Sequence, residues 1–250
     1  MRTCLILLRR ELGSYFVSWT GYIVISVVLF LIGLGFVGLI ESLNVEPITS
    51  SVVELFFESY NFWLILVLVV PLITMRIFAR DKSSGTIETL ITTPITDVQI
   101  VAAKFFGALA FYAIMWLPLL LCIFVVQYYM PADIKMDYGK ILSAYLGVIL
   151  IGVLFIAAGC FASVLSKNQI SAAIIGLAFA VFLFTLGYLS YSAPFQNGVI
   201  SEILSYMNLI EHIRDFARGV IDTRPVVFYI SSAALFLNFT LRTIQNHQWR

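Results

Sequence analysis

The sequence predicts an all-α protein that crosses a membrane six times. Of its 250 residues, 61% are hydrophobic and 12% are charged, whereas a water-soluble domain carries about 25% charged residues. The apolar runs are continuous, unlike the alternating strands of a barrel, and each suits a helix of about 20 residues. The predicted spans are 19–40, 61–79, 105–129, 141–165, 170–191 and 225–241. They make residues 1–250 a single transmembrane domain with no room for a large soluble one.

A separate amphipathic helix is predicted over residues 2–18, before the first span. On a helical wheel one arc holds the apolar residues Leu5, Leu8, Leu12, Tyr15 and Phe16. A helix lying in the membrane interface has this pattern, and the alternative is a plain cytoplasmic extension of the first span. Gly13 and the small residues Ser18, Thr20 and Gly21 allow a bend, which favours the interfacial helix.

The distribution of charge predicts the orientation of the chain. Its net charge is only +1, which argues against nucleic acid as a partner. Ten of the 15 Lys and Arg residues fall in the two terminal segments and the loops that share their side of the membrane. Because positively charged loops stay in the cytoplasm, both termini are predicted to be cytoplasmic in a multi-pass protein of the cell inner (cytoplasmic) membrane.

The cytoplasmic loop between the second and third spans predicts a short docking helix. Ser84 or Gly85 can begin the helix, Pro94 ends it, and Thr96 with Gln99 forms a capping box for the next helix. The loop helix has an apolar face made of Ile87, Leu90 and Ile91. A solvated loop needs no such face, so we expect it to contact a partner protein.

Three groups of residues match the sequence pattern of a known family. They are Gly85-Thr86-Ile87-Glu88-Thr89-Leu90 with Thr93-Pro94-Ile95 and Lys104-Phe105; Glu11-Leu12 with Tyr15-Phe16 and Tyr22; and the stretch from His212 to Asp222. Together they resemble the ABC type-2 permease family. With the six-span layout, the resemblance covers essentially the whole chain. The last stretch is most similar to the branch that contains gliding-motility permeases and related bacterial exporters.

The resemblance implies the membrane-spanning subunit of an ATP-driven ABC transporter, an exporter. Residues 85–94 would be the coupling helix that sits in a cleft of a separate cytoplasmic ABC ATPase, and the contacting residues would be Gly85, Thr86, Ile87, Glu88, Leu90, Ile91 and Pro94. A second permease subunit would complete a homodimer or heterodimer in the lipid bilayer. The alternative is a force-transmitting or anchoring component of a cell-envelope or gliding machinery, without transport.

The sequence predicts no enzymatic activity and no cofactor in this chain. It contains no GxxxxGK[ST] motif to cradle phosphates, and neither HExxH nor GxSxG. ATP is therefore expected in the partner subunit. The spans offer few ionisable groups for an ion relay, which disfavours ion-driven transport. Polar and aromatic candidates for lining a pathway are Tyr60, Asn61, Trp63, Thr185, Tyr188 and Ser190.

Residues 192–224 are predicted to form short helices at the outer face. Apolar residues recur there at helical spacing, at Ile203, Met207, Ile210, Phe216 and Val220. The family resemblance implies helices that dip into the outer membrane face and return. An amphipathic helix lying on the outer surface uses the same periodicity, so both arrangements stay open.

Overall fold

The computed structural model describes residues 2–45, 52–85, 96–129, 137–192 and 206–248. Every regular element in those ranges is a helix. In chain order they are α1 (Arg2–Phe16), α2 (Trp19–Val45), α3 (Val52–Glu58), α4 (Tyr60–Thr74), α5 (Ala79–Ser83), α6 (Asp97–Tyr129), α7 (Tyr138–Leu165), α8 (Gln169–Ser192), α9 (Leu209–Arg218) and α10 (Thr223–Gln248).

The prediction of an all-α fold with six spans is confirmed. Within the described ranges, six helical stretches are long and apolar enough to cross a membrane, and they correspond in order to the six predicted spans. Most of the helices extend beyond the predicted apolar runs; α6, for example, begins at Asp97 although the run begins near 105. The difference arises because a membrane helix continues into polar residues outside the hydrocarbon, where hydropathy no longer marks it. The second span departs from its prediction over 61–79, because α4 ends at Thr74 and turn residues 75–78 precede α5.

The centre of the bundle is formed by α4 and α7. Helix α7 packs against α10, α8, α9, α6 and α4, and α4 also packs against α8 and α2. Seventeen residues of α7 are buried, so this span faces protein on nearly every side. An apolar sequence alone does not distinguish such a central span from one that faces lipid.

Two glycines allow the neighbours of α7 to approach it closely. A Cβ added at Gly152 would lie 2.3 Å from Cε1 of Tyr112 on α6, and one at Gly159 would lie 2.3 Å from Oγ1 of Thr74 on α4. Real atoms cannot approach so closely, so any larger residue would push the helices apart. Small residues have this role in many membrane bundles, where close packing replaces the hydrophobic driving force.

The two ends of the bundle carry different charged clusters. At one end, the Lys82 side chain donates a hydrogen bond to the carbonyl of Val164, so the C-terminal ends of α4–α5 and α7 lie together there. At the other end, Arg218 of α9 contacts Glu54 of α3. Helix α1 lies against α6 and α2, at the same end as α5.

Candidate functional site

The segment predicted to dock a partner lies almost wholly outside the described residues, because residues 86–95 are not among them. Its two borders are described. Gly85, with a φ of +69°, ends the turn after α5 in a left-handed conformation that favours glycine. On the other side, the Thr96 amide donates to Oε1 of Gln99 at 3.4 Å, which is the glutamine half of the predicted capping box.

A buried lysine joins the helices around those borders. The Nζ atom of Lys104 on α6 lies 2.6 Å from Oδ2 of Asp81 on α5 and 3.2 Å from Oε1 of Glu11 on α1. The lysine side chain is only 5% exposed, and each carboxylate is 20% exposed. Nζ also lies 5.5 Å from the centre of the Phe78 ring, within reach of a cation–π contact. We call Glu11, Asp81 and Lys104 the Lys104 network.

Helix α1 reaches the Lys104 network because α6 presents a glycine beneath it. A Cβ at Gly107 would lie 3.1 Å from Cβ of Glu11, so the two backbones approach closely at this position. One turn further along α1, Tyr15 stacks on Phe111 of α6 with ring centres 4.7 Å apart, and its hydroxyl donates to the carbonyl of Ile73 at 3.1 Å. Burial raises the pKa of Tyr15, so this phenol remains a neutral donor. Helix α1 is therefore fixed to both α4 and α6.

The chain bends between α1 and α2, at the small residues that predicted a bend. Helix α1 ends at Phe16 and α2 begins at Trp19. Arg76, just beyond α4, donates to the hydroxyls of Ser18 and Thr20. The amphipathic helix predicted over 2–18 is thus present over Arg2–Phe16, and its position at a membrane surface stays a prediction.

At the opposite end, α9 is fixed to α3 by charge pairs. Arg218 Nε lies 2.6 Å from Oε1 of Glu54, and Arg214 Nε lies 2.6 Å from Oε1 of Glu58. The Asn208 side chain caps the start of α9 by accepting from the Glu211 amide at 3.2 Å. Two carboxylates and two guanidinium groups therefore hold the short helix in place.

The apolar face of α9 differs in part from the predicted one. Phe216 is buried as predicted, but Val220 is 55% exposed, because α9 ends at Arg218 and Gly219 turns the chain with a φ of +88°. Ile203 lies outside the described residues. The side chains that α9 buries are Leu209, Ile213, Phe216 and Ala217. All four lie between the observed ends of the helix, Leu209 and Arg218.

His212 occupies the side of α9 that faces α10. Its Nδ1 lies 3.4 Å from the hydroxyl of Tyr229, and its ring packs edge-on against that of Tyr229, with centres 5.7 Å apart. Burial lowers the pKa of His212 to about 4. The imidazole is therefore neutral at pH 7 and acts as a packing residue.

The aromatic residues proposed to line a pathway fall into two groups. Trp63 is 5% exposed and lies within the bundle, where its ring packs on Phe184 with centres 5.4 Å apart. Tyr188 also stacks on Phe184, with ring centres 6.2 Å apart. Tyr188 is 45% exposed, and Tyr60 is 83% exposed. The structure thus brings Trp63 and Tyr188 together around one phenylalanine and leaves Tyr60 apart at the start of α4.

The three polar candidates have different surroundings. Asn61 is partly buried beside Gly35 of α2, since a Cβ at Gly35 would be 3.4 Å from Cβ of Asn61. Thr185 donates to the carbonyl of Val181 in its own helix at 2.7 Å, and Ser190 is partly buried near the end of α8. A pathway lined by all six candidates stays a prediction.

Sequence reasoning missed the Lys104 network and the charge pairs of α9. The sequence did contain one indication of the Lys104 network. A lysine in the first turns of a long apolar helix must find an acidic partner if it is buried. The identity of that partner was not accessible, because Glu11 is 93 residues away in the chain. Only the packing of α1 on α6 brings the two together.

These features define a class of protein, a helical multi-pass membrane protein whose charged groups are gathered at the two ends of the bundle. Residues 40–209 match the family described as ABC-2 family transporter protein. The match covers more than half of the chain, and the chain belongs to this family. No curated protein matches it. Members of the family are membrane transport subunits, generally without enzymatic activity, and the ATPase is a separate subunit.

Proposed function

We propose that this chain is the membrane-spanning half of an ATP-driven ABC exporter, energised by a separate cytoplasmic ATPase that docks on residues 85–94. The observation that carries the proposal is the Lys104 network. It ties α5, which leads into residues 85–94, to α1 and α6 through one buried cation. Force applied to the docking segment would therefore reach three helices together.

The proposed mechanism is a tilt of the spans on either side of the docking segment. ATP would close the ATPase dimer and move residues 85–94 as a lever, and α4 and α6 would follow. A bound ligand shifts such an equilibrium only by its differential affinity for the two states, so the ATPase must contact the segment differently before and after closure. ATP itself would be bound by the partner subunit.

We also propose that two permease subunits, identical or different, form the complete channel. Tyr60 and Tyr188 are exposed on a single chain while Trp63 is buried within it. A second subunit that packs against an exposed ring would bring that ring into the assembly. An aromatic, uncharged path suits a lipid-linked, peptidic or otherwise hydrophobic substrate.

The proposed orientation places both termini in the cytoplasm of a bacterial cell and the protein in the inner membrane. Its support is the distribution of Lys and Arg residues. The end that holds Arg76, Arg80, Lys82 and Lys104 would then be cytoplasmic. Export as the direction, and membership of the branch that contains gliding-motility permeases, rest on the resemblance of residues 212–222. The family match gives no support to a role in force transmission without transport.

The orientation is tested by labelling single cysteines with a reagent that does not cross membranes. A cysteine in place of Glu46 should react in intact cells, and one in place of Thr89 should react only after permeabilisation. Labelling at position 89 in intact cells would reverse the orientation and remove the docking proposal with it.

Assembly is tested by co-expressing the chain with an ABC ATPase encoded beside it and measuring co-purification and ATP hydrolysis. The ATPase should be recovered with the permease, and the permease should alter its rate of hydrolysis. A chain that bound and hydrolysed ATP alone would contradict the assignment of the two subunits.

A further inference from the structure

A charged cavity lies between α1 and the end of α4, next to the Lys104 network. Its volume is about 400 Å³, and three arginines from different parts of the chain line it, Arg10 of α1, Arg76 beyond α4 and Arg80 of α5. Ser14 and Ser84 add hydroxyl groups to the wall. We call this cavity the arginine pocket.

The arginine pocket has an excess of positive charge. Four cationic residues line it, the three arginines and Lys104, against the two carboxylates Glu11 and Asp81, so the balance is 4 − 2 = +2. Both carboxylates are already paired with Lys104. Within the described ranges, Arg10 and Arg80 form no salt bridge, and both are exposed. Two guanidinium groups are therefore available to a ligand.

The surroundings of Arg76 place the pocket at the level of the lipid headgroups. Arg76 donates to Ser18 and Thr20, the two residues on either side of Trp19. Trp19 is 86% exposed, and so is Val17. Exposed tryptophan at the end of a membrane helix is typical of the interface between hydrocarbon and water. A cavity at this depth opens where phosphate groups of the bilayer lie.

We propose that the arginine pocket binds the phosphate group of an anionic membrane lipid. Guanidinium groups bind phosphate oxygens through paired, charge-assisted hydrogen bonds, and basic pockets between membrane helices on the cytoplasmic side bind anionic headgroups. The phosphate is held between α1 and α5, and the lipid therefore stabilises the contact of the interfacial helix with the segment that leads to residue 85. This inference does not depend on the proposed ATPase partner.

The experiment measures binding of phosphatidylglycerol to the purified full-length chain by native mass spectrometry. The test variant carries Arg10→Gln and Arg80→Gln. The matched control carries Arg9→Gln and Arg242→Gln, which removes the same charge from two exposed arginines outside the pocket. Each basic side chain near an anionic headgroup contributes about fivefold in affinity, so we expect about 25-fold weaker binding in the test variant and a change of less than about twofold in the control.

Further arms of the experiment identify the source of the phosphate. Phosphatidylcholine should bind the wild-type chain much more weakly than phosphatidylglycerol, and millimolar inorganic phosphate should compete only partly. Equal binding of both lipids, or full displacement by inorganic phosphate, would overturn the assignment to an anionic lipid. Unchanged melting temperatures for both double variants are expected, because none of the four arginines has an ion-pair partner in the described part of the chain.

A test variant that retains wild-type binding of phosphatidylglycerol overturns the proposal. If that variant instead loses co-purification of the ATPase, the pocket is a docking surface for an acidic segment of the partner. A permease that lost lipid binding and kept its ATPase would support the lipid site and leave the proposed function intact. The two proposals can thus fail separately.

Discussion

Replacing Lys104 with methionine tests the Lys104 network most directly. Methionine keeps the length and apolar stem of the side chain but removes the charge, so the carboxylates of Glu11 and Asp81 are left facing each other without a cation. The lysine is 5% exposed, and the carboxylates are 20% exposed, so water cannot replace the lost partner fully. Removing one member of a buried ion pair costs about 3–5 kcal/mol. We expect about 3 kcal/mol, the lower end, because the carboxylates keep some contact with solvent.

The assay is thermal unfolding of the purified protein in detergent. Gel filtration with fluorescence detection monitors the unfolding and gives the melting temperature. A loss of about 3 kcal/mol corresponds to a melting temperature about 6–12 °C lower for a chain of this size. The control is Lys167→Met, which removes a lysine that is exposed. Its melting temperature should change by less than about 2 °C.

A triple variant separates stability from coupling. Changing Glu11 to Gln and Asp81 to Asn in the Lys104→Met background removes every charge of the network, and replacing a whole buried ion network costs far less than breaking it. At least half of the lost stability should return, while stimulation of the ATPase should not, because α1, α5 and α6 are no longer joined by charge. The reasoning is wrong if Lys104→Met melts like the Lys167 control, or if the triple variant is no more stable than Lys104→Met.

Three other predictions follow from the packing and from the proposed docking segment. Gly159→Leu should lower the melting temperature or prevent folding, since even a Cβ there would lie 2.3 Å from Thr74. Gly38→Ala meets no atom within 4 Å and should leave the melting temperature unchanged. Equal effects of the two variants on the melting temperature would contradict the close contact of α4 and α7. His212 has a pKa of about 4 in the folded chain and about 6.5 when unfolded, so the unfolded state binds more protons between these values and stability should fall as the pH drops from 6.5 to 4. His212→Gln should reduce the pH dependence of the free energy of unfolding between pH 4 and 6.5. If that pH dependence is the same as in the wild-type chain, the lowered pKa of His212 is refuted. Leu90→Asp should reduce co-purification of the ATPase more than tenfold, because it places a carboxylate in a proposed apolar interface. The control Asp133→Lys, in the predicted outer loop, should leave co-purification unchanged. If the ATPase co-purifies fully with the Leu90→Asp variant, residues 85–94 are an ordinary loop.

The spans could be predicted from the sequence because the bilayer imposes a simple rule. A helix that crosses hydrocarbon needs about 20 apolar residues, and that requirement is visible in the sequence without knowledge of its neighbours. The glutamine half of the capping box at Thr96 could also be predicted, since Thr96 and Gln99 lie within one turn. In each case the interacting residues are close together in the chain.

The arrangement of the spans could not be predicted in the same way. Helices α2 and α7 are both strongly apolar, with little difference in composition to indicate that α7 lies at the centre. What places α7 at the centre is close contact at its glycines, where Gly152 meets Tyr112 of α6 and Gly159 meets Thr74 of α4. A glycine in an apolar helix is equally consistent with a close helix contact and with a position facing lipid, so only the assembled bundle distinguishes them.

The two charged clusters differ in a way that follows from their exposure. Lys104 is 5% exposed and pairs with two carboxylates of limited exposure, so water and salt screen the network weakly. At the opposite end the arginines are more exposed, Arg218 at 48% and Arg214 at 35%, although Glu54 is only 11% exposed; water therefore competes mainly for the guanidinium groups. Added salt should therefore weaken the pairs between α9 and α3 more than it weakens the Lys104 network.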